Sequence, residues 1–366
     1  MEKNTHIATL TDESITLLKE MIAIPSPSFN EDEVCSHICK WLSSKGIEHE
    51  RVGNNIIAEH VTDPSYPTLM LCAHIDTVSP CEGYSFDPYK PENSPEGVIQ
   101  GLGSNDDGAS VVSMIAAYRY FIGQTRINLT LVLTCEEERS GKDGMTGLWG
   151  KRLNRIDYAI IGEPTEMKAA TSERGLLVID ATAHGVSGHA ARNEGKNALY
   201  IALEDIERLR RHEFTKISPK MGKVNLNVTQ ISAGSAHNVI PDRCDFVIDI
   251  RPTEQYSNEE ILQELQAICE SELKPRNLAN RSSATHEGSP LQKTAERMGI
   301  ETFSSATTSD WMRITCDAIK MGPGDSNRSH RKDEYVTVEE ISEGIEKYIQ
   351  FIISFSNADA PRNDVM

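Results

Sequence analysis

Several features are missing from this sequence, and each absence excludes a class of protein. No run of eighteen apolar residues occurs among the 366 residues, so no segment can cross a bilayer as a helix. The opening stretch, MEKNTHIATLTDES, has no apolar core of the kind that signal peptides carry. Short-range repeats and low-complexity tracts are absent too. We therefore expect a folded, cytoplasmic protein of about two domains.

Cysteine pairs and excess positive charge are missing as well. The eight cysteines are scattered, without CxxC pairs or the spacing of a disulfide framework. Cys35 and Cys39 lie one helical turn apart, and we interpret them as buried thiols in a reducing compartment. The chain has 37 Lys and Arg against 55 Asp and Glu, a net charge of −18. That balance argues against nucleic acid and anionic membranes as partners.

Short apolar runs alternate with helical patterns along much of the chain. TLMLCAH, NLTLVLTC, DYAIIGEP and DAIKMGPG are too short to be helices and are typical of strands buried on both faces. Helical patterns precede them, at residues 11–23 and in NEDEVCSHICKWLSSKG. The sequence therefore predicts an α/β fold with a mostly parallel sheet flanked by helices.

The middle of the chain has a different pattern. LLVIDATAHG, KVNLNVTQISAG and CDFVIDIRP alternate with period two, which is typical of strands with one exposed face. Two helical patterns lie between and after them, and the second begins with the capping box Ser257-x-x-Glu260. We expect an inserted α+β domain over residues 175–285, with residues 1–174 and 286–366 forming the larger domain.

The stretch GLGSNDDGAS resembles a glycine-rich nucleotide-binding turn, but its charge argues against that interpretation. A dinucleotide fingerprint requires a third glycine three residues after the second, and Asp106 occupies that place. Asp107 follows it, and two carboxylates would repel a phosphate. An oxidoreductase is therefore the weakest reading. The glycines instead hold a carboxylate in a tight turn.

Side chains able to bind metal follow each predicted buried strand. In an open α/β sheet the ligand crevice lies outside the carboxyl ends of the strands, so these side chains should converge. Clustered buried carboxylates need a compensating charge, and zinc or a similar divalent ion accepts His and carboxylate ligands. Two such ions can share one carboxylate, and Asp106 suits that bridge. The converging residues are His74, Asp76, Asp106, Glu136, Glu137, Glu138, Glu163 and His330.

Six motifs occur in the order and at roughly the spacing seen in one enzyme family. They are HIDTV, GLGSNDDG, TCEEE, IGEPTE, GVSGHAAR and RSHRKDEY. The chain thereby resembles the zinc-dependent acetylornithine deacetylase, succinyl-diaminopimelate desuccinylase and carboxypeptidase family over nearly its whole length, most of all the acetylornithine deacetylase branch. The resemblance implies two zinc ions, replaceable by cobalt, in the larger domain, and a lid and dimerisation domain in the insert.

The resemblance also assigns roles to individual residues. One ion would be held by His74, Asp106 and Glu163, and the other by Asp106, Glu137 and His330. Glu136 would be the general base, and Asp76 would orient the ring of His74. Asn238 and Arg251 would meet the polar groups and carboxylate of the substrate, with Thr308 as a further contact. His189 would reach the active site of the partner subunit in a homodimer.

The sequence departs from the family pattern in ways that leave alternatives open. Three consecutive glutamates replace the usual D-E-E. The assignment of the general base and of the metal ligand among Glu136, Glu137 and Glu138 could therefore shift by one residue. Asp107 is a second candidate for the bridge, and Cys135 could be a soft ligand, although a buried thiol is the simpler interpretation. The favoured reaction is deacylation of a small N-acyl amino acid, N-acetylornithine or N-acetylcitrulline, in arginine biosynthesis. A desuccinylase, a di- or tripeptidase and a non-catalytic metal-binding protein are the alternatives.

Overall fold

The computed structural model describes residues 2–123, 127–192 and 194–358. It separates into two compact units. Unit 1 comprises residues 1–171, 285–303 and 309–366, and unit 2 comprises residues 172–284 and 304–308.

Unit 1 contains the two longest helices and the larger sheet; elements are numbered in chain order across both units. Its helices are α1 (Glu2–Ile22), α2 (Asp32–Ser44), α3 (Ala109–Phe121), α4 (Met145–Leu148), α7 (Pro290–Arg297) and α8 (Val338–Ala358). Its strands are β1 (Glu50–Val52), β2 (Asn55–His60), β3 (Thr68–His74), β4 (Val98–Gln100), β5 (Asn128–Thr134), β6 (Tyr158–Ile161), β16 (Asp317–Lys320) and β17 (Tyr335–Thr337). Strands β7 (Ala169–Glu173) and β15 (Thr302–Ser305) include residues of both units.

The main sheet of unit 1 has the order β1-β2-β5-β3-β6-β16-β7. Its four central strands, β5, β3, β6 and β16, run parallel, and the strands beyond them pair antiparallel. The predicted α/β fold with a mostly parallel central sheet is therefore confirmed. Because the four central strands are parallel, their carboxyl ends lie at the same edge of the sheet, where His74 ends β3.

Strand β3 shows why these apolar runs form strands buried on both faces. Leu69 and Leu71 face the core that includes residues of α1, α2, α3 and α8. Met70 and Cys72 face the opposite core, which includes Trp311 and residues of α4. A strand whose successive side chains are all apolar can bury both faces only between two layers. The continuous hydrophobic run thus encodes a central position in the sheet.

Unit 2 is an α+β layer built on a four-stranded antiparallel sheet with the order β10-β12-β8-β13. Its strands are β8 (Leu177–His184), β9 (Gly188–His189), β10 (Asn225–Ala233), β11 (Val239–Ile240), β12 (Arg243–Arg251), β13 (Glu272–Pro275) and β14 (Ser283–Ala284), and its helices are α5 (Ala198–Arg211) and α6 (Asn258–Ile268). Side chains of β8 and β12 alternate between buried and part-exposed, which confirms the period-two prediction for these two strands. In β10 the alternation holds only over the first residues, and the rest of the strand is exposed. The capping box at Ser257 and Glu260 is also formed and begins α6.

Two further expectations concern membranes and thiols. None of the helices in the described ranges combines the length and the apolar character needed to cross a membrane. All eight cysteines lie in the described ranges and carry free thiols, and Cys35 is buried as predicted while Cys39 is half-buried.

Candidate metal centre

His74 is the buried ring at the centre of the site. It ends β3 with 3% of its surface exposed. Its Nδ1 lies 2.9 Å from the backbone oxygen of Asp76, and its Nε2 lies 3.2 Å from Oδ1 of Asp106. A hydrogen bond at Nδ1 fixes the ring and leaves Nε2 to face a metal. Strand β3 therefore presents one nitrogen ligand toward Asp106.

Asp76 connects His74 to the glutamate segment. Its Oδ1 lies 3.5 Å from His74 Nδ1 and accepts a hydrogen bond of 3.0 Å from the backbone N–H of Glu137. Its Oδ2 accepts from the backbone N–H of Glu138 at 3.2 Å and from Ser28 Oγ at 2.7 Å. One carboxylate thus sets both the imidazole ring and the backbone of two glutamates.

We expect Asp76→Asn to weaken metal binding by about 10- to 100-fold, the usual effect of losing an outer partner of a metal-bound histidine. An amide in place of the carboxylate puts an N–H group against the N–H of Glu137 or Glu138. Titration of zinc against a chromophoric chelator measures the change, and Ser28→Ala, which removes one neutral partner of the same carboxylate, is the milder control. Unchanged affinity in Asp76→Asn would show that Asp76 does not support the site.

Glycine geometry and a buried glutamate hold the loop that carries Asp106. Gly103 has φ of 76°, and a Cβ there would lie 2.6 Å from Cγ2 of Thr77, so a side chain cannot be accommodated. Glu334 accepts hydrogen bonds from the backbone N–H groups of Gly103, Asn105 and Asp106 at 3.1, 2.9 and 3.0 Å. Burial, and then the charge of Asp106, raises the pKa of Glu334 to about 8. This residue was not among the predicted site residues, although it lies in the motif RSHRKDEY.

Asn105 joins the same loop to the segment that carries His330. Its side-chain Nδ2 donates to the backbone oxygen of Asp325 at 3.1 Å, and its Oδ1 accepts from the backbone N–H of Asp325 at 2.9 Å. The side chain is fully buried. The two loops are therefore held together five residues from His330, a role that no pattern in the sequence marks.

The ligand atoms of unit 1 form two overlapping groups. Nitrogen and oxygen atoms of His74, Asp106 and Glu138 lie within 4.8 Å of one another, and so do those of His74, Glu137 and Glu163. His330 Nε2 lies 3.0 Å from Oε1 of Glu138 and 3.6 Å from Oδ2 of Asp106. Asp106 thus contacts both histidines, one through each carboxylate oxygen.

The predicted register within the three glutamates does not match this geometry. Glu138, and not Glu137, lies beside His330 and Asp106. Glu136 belongs to neither group of ligand atoms. Its Oε2 accepts from the backbone N–H of Asp143 at 3.1 Å, and its own backbone N–H donates to Glu31 at 3.2 Å. Its carboxylate therefore lies against the adjoining loop, and the second and third glutamates are the ones that lie near the histidines.

The carboxylates of the site carry more negative charge than the surrounding protein compensates. Burial, and then the charge of Glu163, raises the pKa of Glu137 well above its ordinary value, despite the opposing effect of His74. Burial likewise raises the pKa of Glu163, against the opposing charge of Lys320, and raises that of Glu138. Clustered carboxylates of this kind are stabilised by cations, and a set of two histidines with several carboxylates fits zinc or another first-row divalent ion.

Asp107 and Cys135 are the alternatives that the sequence left open, and both lie apart from the ligand groups. Oδ2 of Asp107 accepts from the backbone N–H of His74 at 3.3 Å, and burial raises the pKa of Asp107 to about 7. A Cβ at Gly162 would lie 2.9 Å from that Oδ2, so the glycine is needed for this close packing. Burial raises the pKa of the Cys135 thiol far above its usual range. Neither residue belongs to a group of ligand atoms within the described ranges.

The four other predicted site residues lie in unit 2. His189, in β9, is exposed and pairs with Val239 of β11, and the N–H of Ala190 donates to the backbone oxygen of Asn238 at 3.0 Å. These contacts bring His189 and Asn238 together. Arg251 ends β12 with its guanidinium on Asp249, at 2.9 and 3.2 Å. Thr308 is half-buried in residues 304–308.

Comparison with known proteins agrees with this architecture. Residues 171–277 match the family model of the peptidase dimerisation domain (M20_dimer). The chain is 28% identical to a peptidase M20 domain-containing protein of Schizosaccharomyces pombe, over 93% of this chain and 84% of that protein. It is 27% identical to succinyl-diaminopimelate desuccinylase of Xanthomonas campestris, over 91% of this chain and 96% of that protein.

These matches support the M20 peptidase family. A solved structure of similar fold is YXEP of Bacillus subtilis, described as a dinuclear metal binding peptidase from the M20 family. It has a TM-score of 0.72 and 15% identity and covers 95% of this chain and 99% of that one. Together these similarities support a metal-dependent hydrolase of the M20 family. They do not single out the acetylornithine deacetylase branch.

Proposed function

We propose that this protein is an M20 amide hydrolase that uses two divalent cations to remove the acyl group from a small N-acylated amino acid. The observation that carries the proposal is the position of Asp106, whose two carboxylate oxygens face His74 and His330. One carboxylate between two histidines, each with its own glutamate neighbour, is the arrangement of a shared ligand.

The cations would be held by five residues of unit 1. His74, Asp106 and Glu163 would hold one, and Asp106, Glu138 and His330 the other. Zinc is the proposed metal, with cobalt as a substitute. When bound, such ions lower the pKa of water toward about 7 and polarise a carbonyl group.

Glu137 is then the carboxylate that neither ion needs as a ligand. It lies next to His74 and Glu163, and its backbone is fixed by Asp76. We assign it as the general base. It takes a proton from the attacking water, whose oxygen bonds to the amide carbon, and returns that proton to the nitrogen as the C–N bond breaks. Its high pKa in the absence of cations would fall in their presence.

N-Acetylornithine or N-acetylcitrulline is the first substrate candidate, and a specific observation favours a second class. Four basic side chains flank the ligands on two loops: Arg139 and Lys142 follow Glu138, and Arg331 and Lys332 follow His330. All are exposed, and none forms an ion pair within the described part of the chain. The chain as a whole has a net charge of −18, so four unpaired basic side chains near the ligands are a local excess of positive charge. This excess favours a substrate with an extra carboxylate, such as an N-succinyl amino acid or an acidic peptide.

Amine release by the zinc-loaded protein distinguishes these substrates. The panel pairs N-acetyl and N-succinyl forms of ornithine and citrulline, with succinyl-diaminopimelate and neutral and acidic dipeptides. Turnover of the acetyl compounds supports the arginine pathway, and preference for the succinyl partner in each pair supports the anionic class. If only dipeptides react, the protein is a peptidase. No turnover with two ions bound would contradict the proposed activity.

Unit 2 is the proposed lid and dimerisation domain of a homodimer, with residues 175–285 inserted into a catalytic domain of residues 1–174 and 286–366. In that dimer His189 would act on the partner's substrate, and Asn238, Arg251 and Thr308 would meet the substrate's polar groups. Strand β10 supports the dimer, because it is an edge strand of nine residues with no charged side chain. Unprotected edges of this kind pair with another chain. The free thiols fit a cytoplasmic location, which stays a proposal.

Ile231→Lys tests the dimer. Ile231 lies on β10 with 48% of its surface exposed, and a lysine there places a charge on the uncharged edge. We expect light scattering after size exclusion to show a dimer for the parent chain and a monomer for the variant at micromolar concentration. Ile217→Lys, at a position 57% exposed, is the matched control and stays dimeric. A variant at Ile231 that remains a dimer would place the interface elsewhere.

A further inference from the structure

Four successive backbone N–H groups, those of residues 135–138, donate to side chains from earlier parts of unit 1. The distances are 3.1, 3.2, 3.0 and 3.2 Å, and the acceptors in order are Asn55, Glu31 and the two oxygens of Asp76. Buried backbone donors need such partners, so the acceptors decide the path that the chain takes here. The position of the glutamate segment is therefore set by three side chains outside it.

Glu31 is fully buried, and its carboxylate is directed away from the helix that it precedes. It is the N-cap residue of α2, but in the described structure it makes no capping hydrogen bond to that helix. Its Oε1 accepts from the backbone N–H of Phe29 at 2.7 Å as well as from that of Glu136. Its Oε2 accepts from Nδ2 of Asn54 at 3.1 Å. Both oxygens are thus engaged, and the side chain joins the segment before α2 to the glutamate segment.

Two of the residues held by Glu31 have a left-handed backbone conformation. Phe29 has φ of 73°, and Glu136 has φ of 60°. Residues other than glycine are strained in this region, and they persist where the surrounding contacts over-determine them, commonly at functional sites. Oε1 of Glu31 accepts from the N–H of each. Glu31 thus supports the turn at Glu136, which lies just after β5 ends and just before the two glutamates that face the histidines.

We propose that Glu31 is a positioning residue that fixes the Glu137 carboxylate relative to the metal centre. The inference rests on the proposed function, in which Glu137 is the general base. Asp76 holds the N–H of Glu137, and Glu31 holds that of Glu136, so the base is fixed from both ends of one peptide unit. A proton-transfer group must lie within hydrogen-bonding reach of its partner. A turn that relaxes at Glu136 therefore slows proton transfer, while the ligands on other elements keep the metal.

Hydrogen exchange followed by mass spectrometry tests the anchoring without any substrate. Glu31→Ala removes the acceptor, and Glu31→Met removes it while nearly keeping the volume of the side chain. In both, exchange in peptides covering residues 135–140 should rise by about tenfold or more, because a protected amide loses its acceptor. Peptides from α8 should exchange as in the parent chain, and Glu31→Gln, whose amide oxygen still accepts, should keep the protection. Unchanged exchange over residues 135–140 in Glu31→Met would overturn the proposal.

Kinetics of the zinc-loaded variants test the effect on the base. Glu31→Met should lower kcat by about 10- to 100-fold, with KM close to the parent value, because a misplaced group slows the reaction more than it weakens binding. Two zinc ions should remain bound, and Glu31→Gln should recover most of the lost kcat. Glu13→Ala removes a half-buried carboxylate that pairs with Lys45 and Arg119, and this matched control should keep the parent kcat.

A double-mutant cycle with Glu137→Gln separates positioning of the base from general stability. Adding Glu31→Met to Glu137→Gln should lower kcat no further, because the group that Glu31 positions has already been removed. Effects that multiply, or an unchanged kcat in Glu31→Met alone, would overturn the proposal. A parent chain that turns over nothing in the panel would contradict the proposed function, and hydrogen exchange would still decide whether Glu31 anchors the segment.

Discussion

Glu137→Gln lowers kcat by about 10²- to 10⁴-fold, the range that a positioned proton-transfer group contributes. The amide keeps the size of the side chain but cannot accept the proton of the attacking water. Because Glu137 is not one of the five proposed ligands, the variant should still bind two zinc ions per chain. Steady-state kinetics on the best substrate of the panel and metal analysis of the same sample measure both quantities.

Glu136→Gln is the matched control for that experiment. The Glu136 side chain accepts from the backbone N–H of Asp143 and lies outside both ligand groups. Its replacement should change kcat by less than about threefold. The lost hydrogen bond should instead lower the free energy of unfolding. An inactive Glu136→Gln that retains two zinc ions, with Glu137→Gln active, would make Glu136 the general base. That result would contradict the assignment of Glu137.

Asp106→Ala should have the second large effect, on metal content. The Asp106 carboxylate contacts both histidines, so its loss removes a ligand from both proposed ions. We expect zinc to fall from two ions to fewer than one per chain after dialysis, with affinity reduced by more than the roughly 10- to 100-fold typical of outer partners. Activity should be lost with the metal.

The control for Asp106→Ala is Asp333→Ala. Asp333 lies on the segment after His330, and its Oδ1 accepts from the backbone N–H of Ser85 at 2.6 Å. That variant should retain both zinc ions. If Asp106→Ala also retains two ions, then Asp106 is not the shared ligand, and Asp107 becomes the residue to test.

Much of the site was predictable because of where the strands end. A buried strand such as TLMLCAH can be recognised from its apolar run, and a parallel sheet places the residue after each such strand at one edge. That reasoning led to His74, Glu137 and Glu163, whose ligand atoms form one group. Asp106 instead follows β4, which pairs with β17 outside the main sheet. His330 follows β16 by ten residues. It lies 3.0 Å from Glu138 and 3.6 Å from Asp106, whereas the predicted ligand set pairs it with Asp106 and Glu137.

The register of the glutamates could not be obtained in the same way. Three identical side chains in a row give no pattern. Which glutamates face the histidines depends on which backbone N–H groups donate to Asp76. Glu136 also adopts φ of 60°, a local conformation that periodicity does not reveal. Such contacts join residues about sixty positions apart.

Residues that support the loops were missed for a related reason. Glu334 and Asn105 act through backbone groups, which no side-chain pattern in the sequence marks. Their partners lie more than 200 residues away along the chain. Only the fold shows that a glutamate four residues after His330 accepts hydrogen bonds from three N–H groups of the glycine loop.

Anomalous diffraction at the zinc edge from crystals of the zinc-loaded protein tests the central claim most directly. The account predicts two peaks per chain, about 3.5–4 Å apart. One should lie beside His74 and Glu163, the other beside Glu138 and His330, with the Asp106 carboxylate between them. A single peak, or a second ion held by Glu137 or Cys135 in place of Glu138, would contradict it.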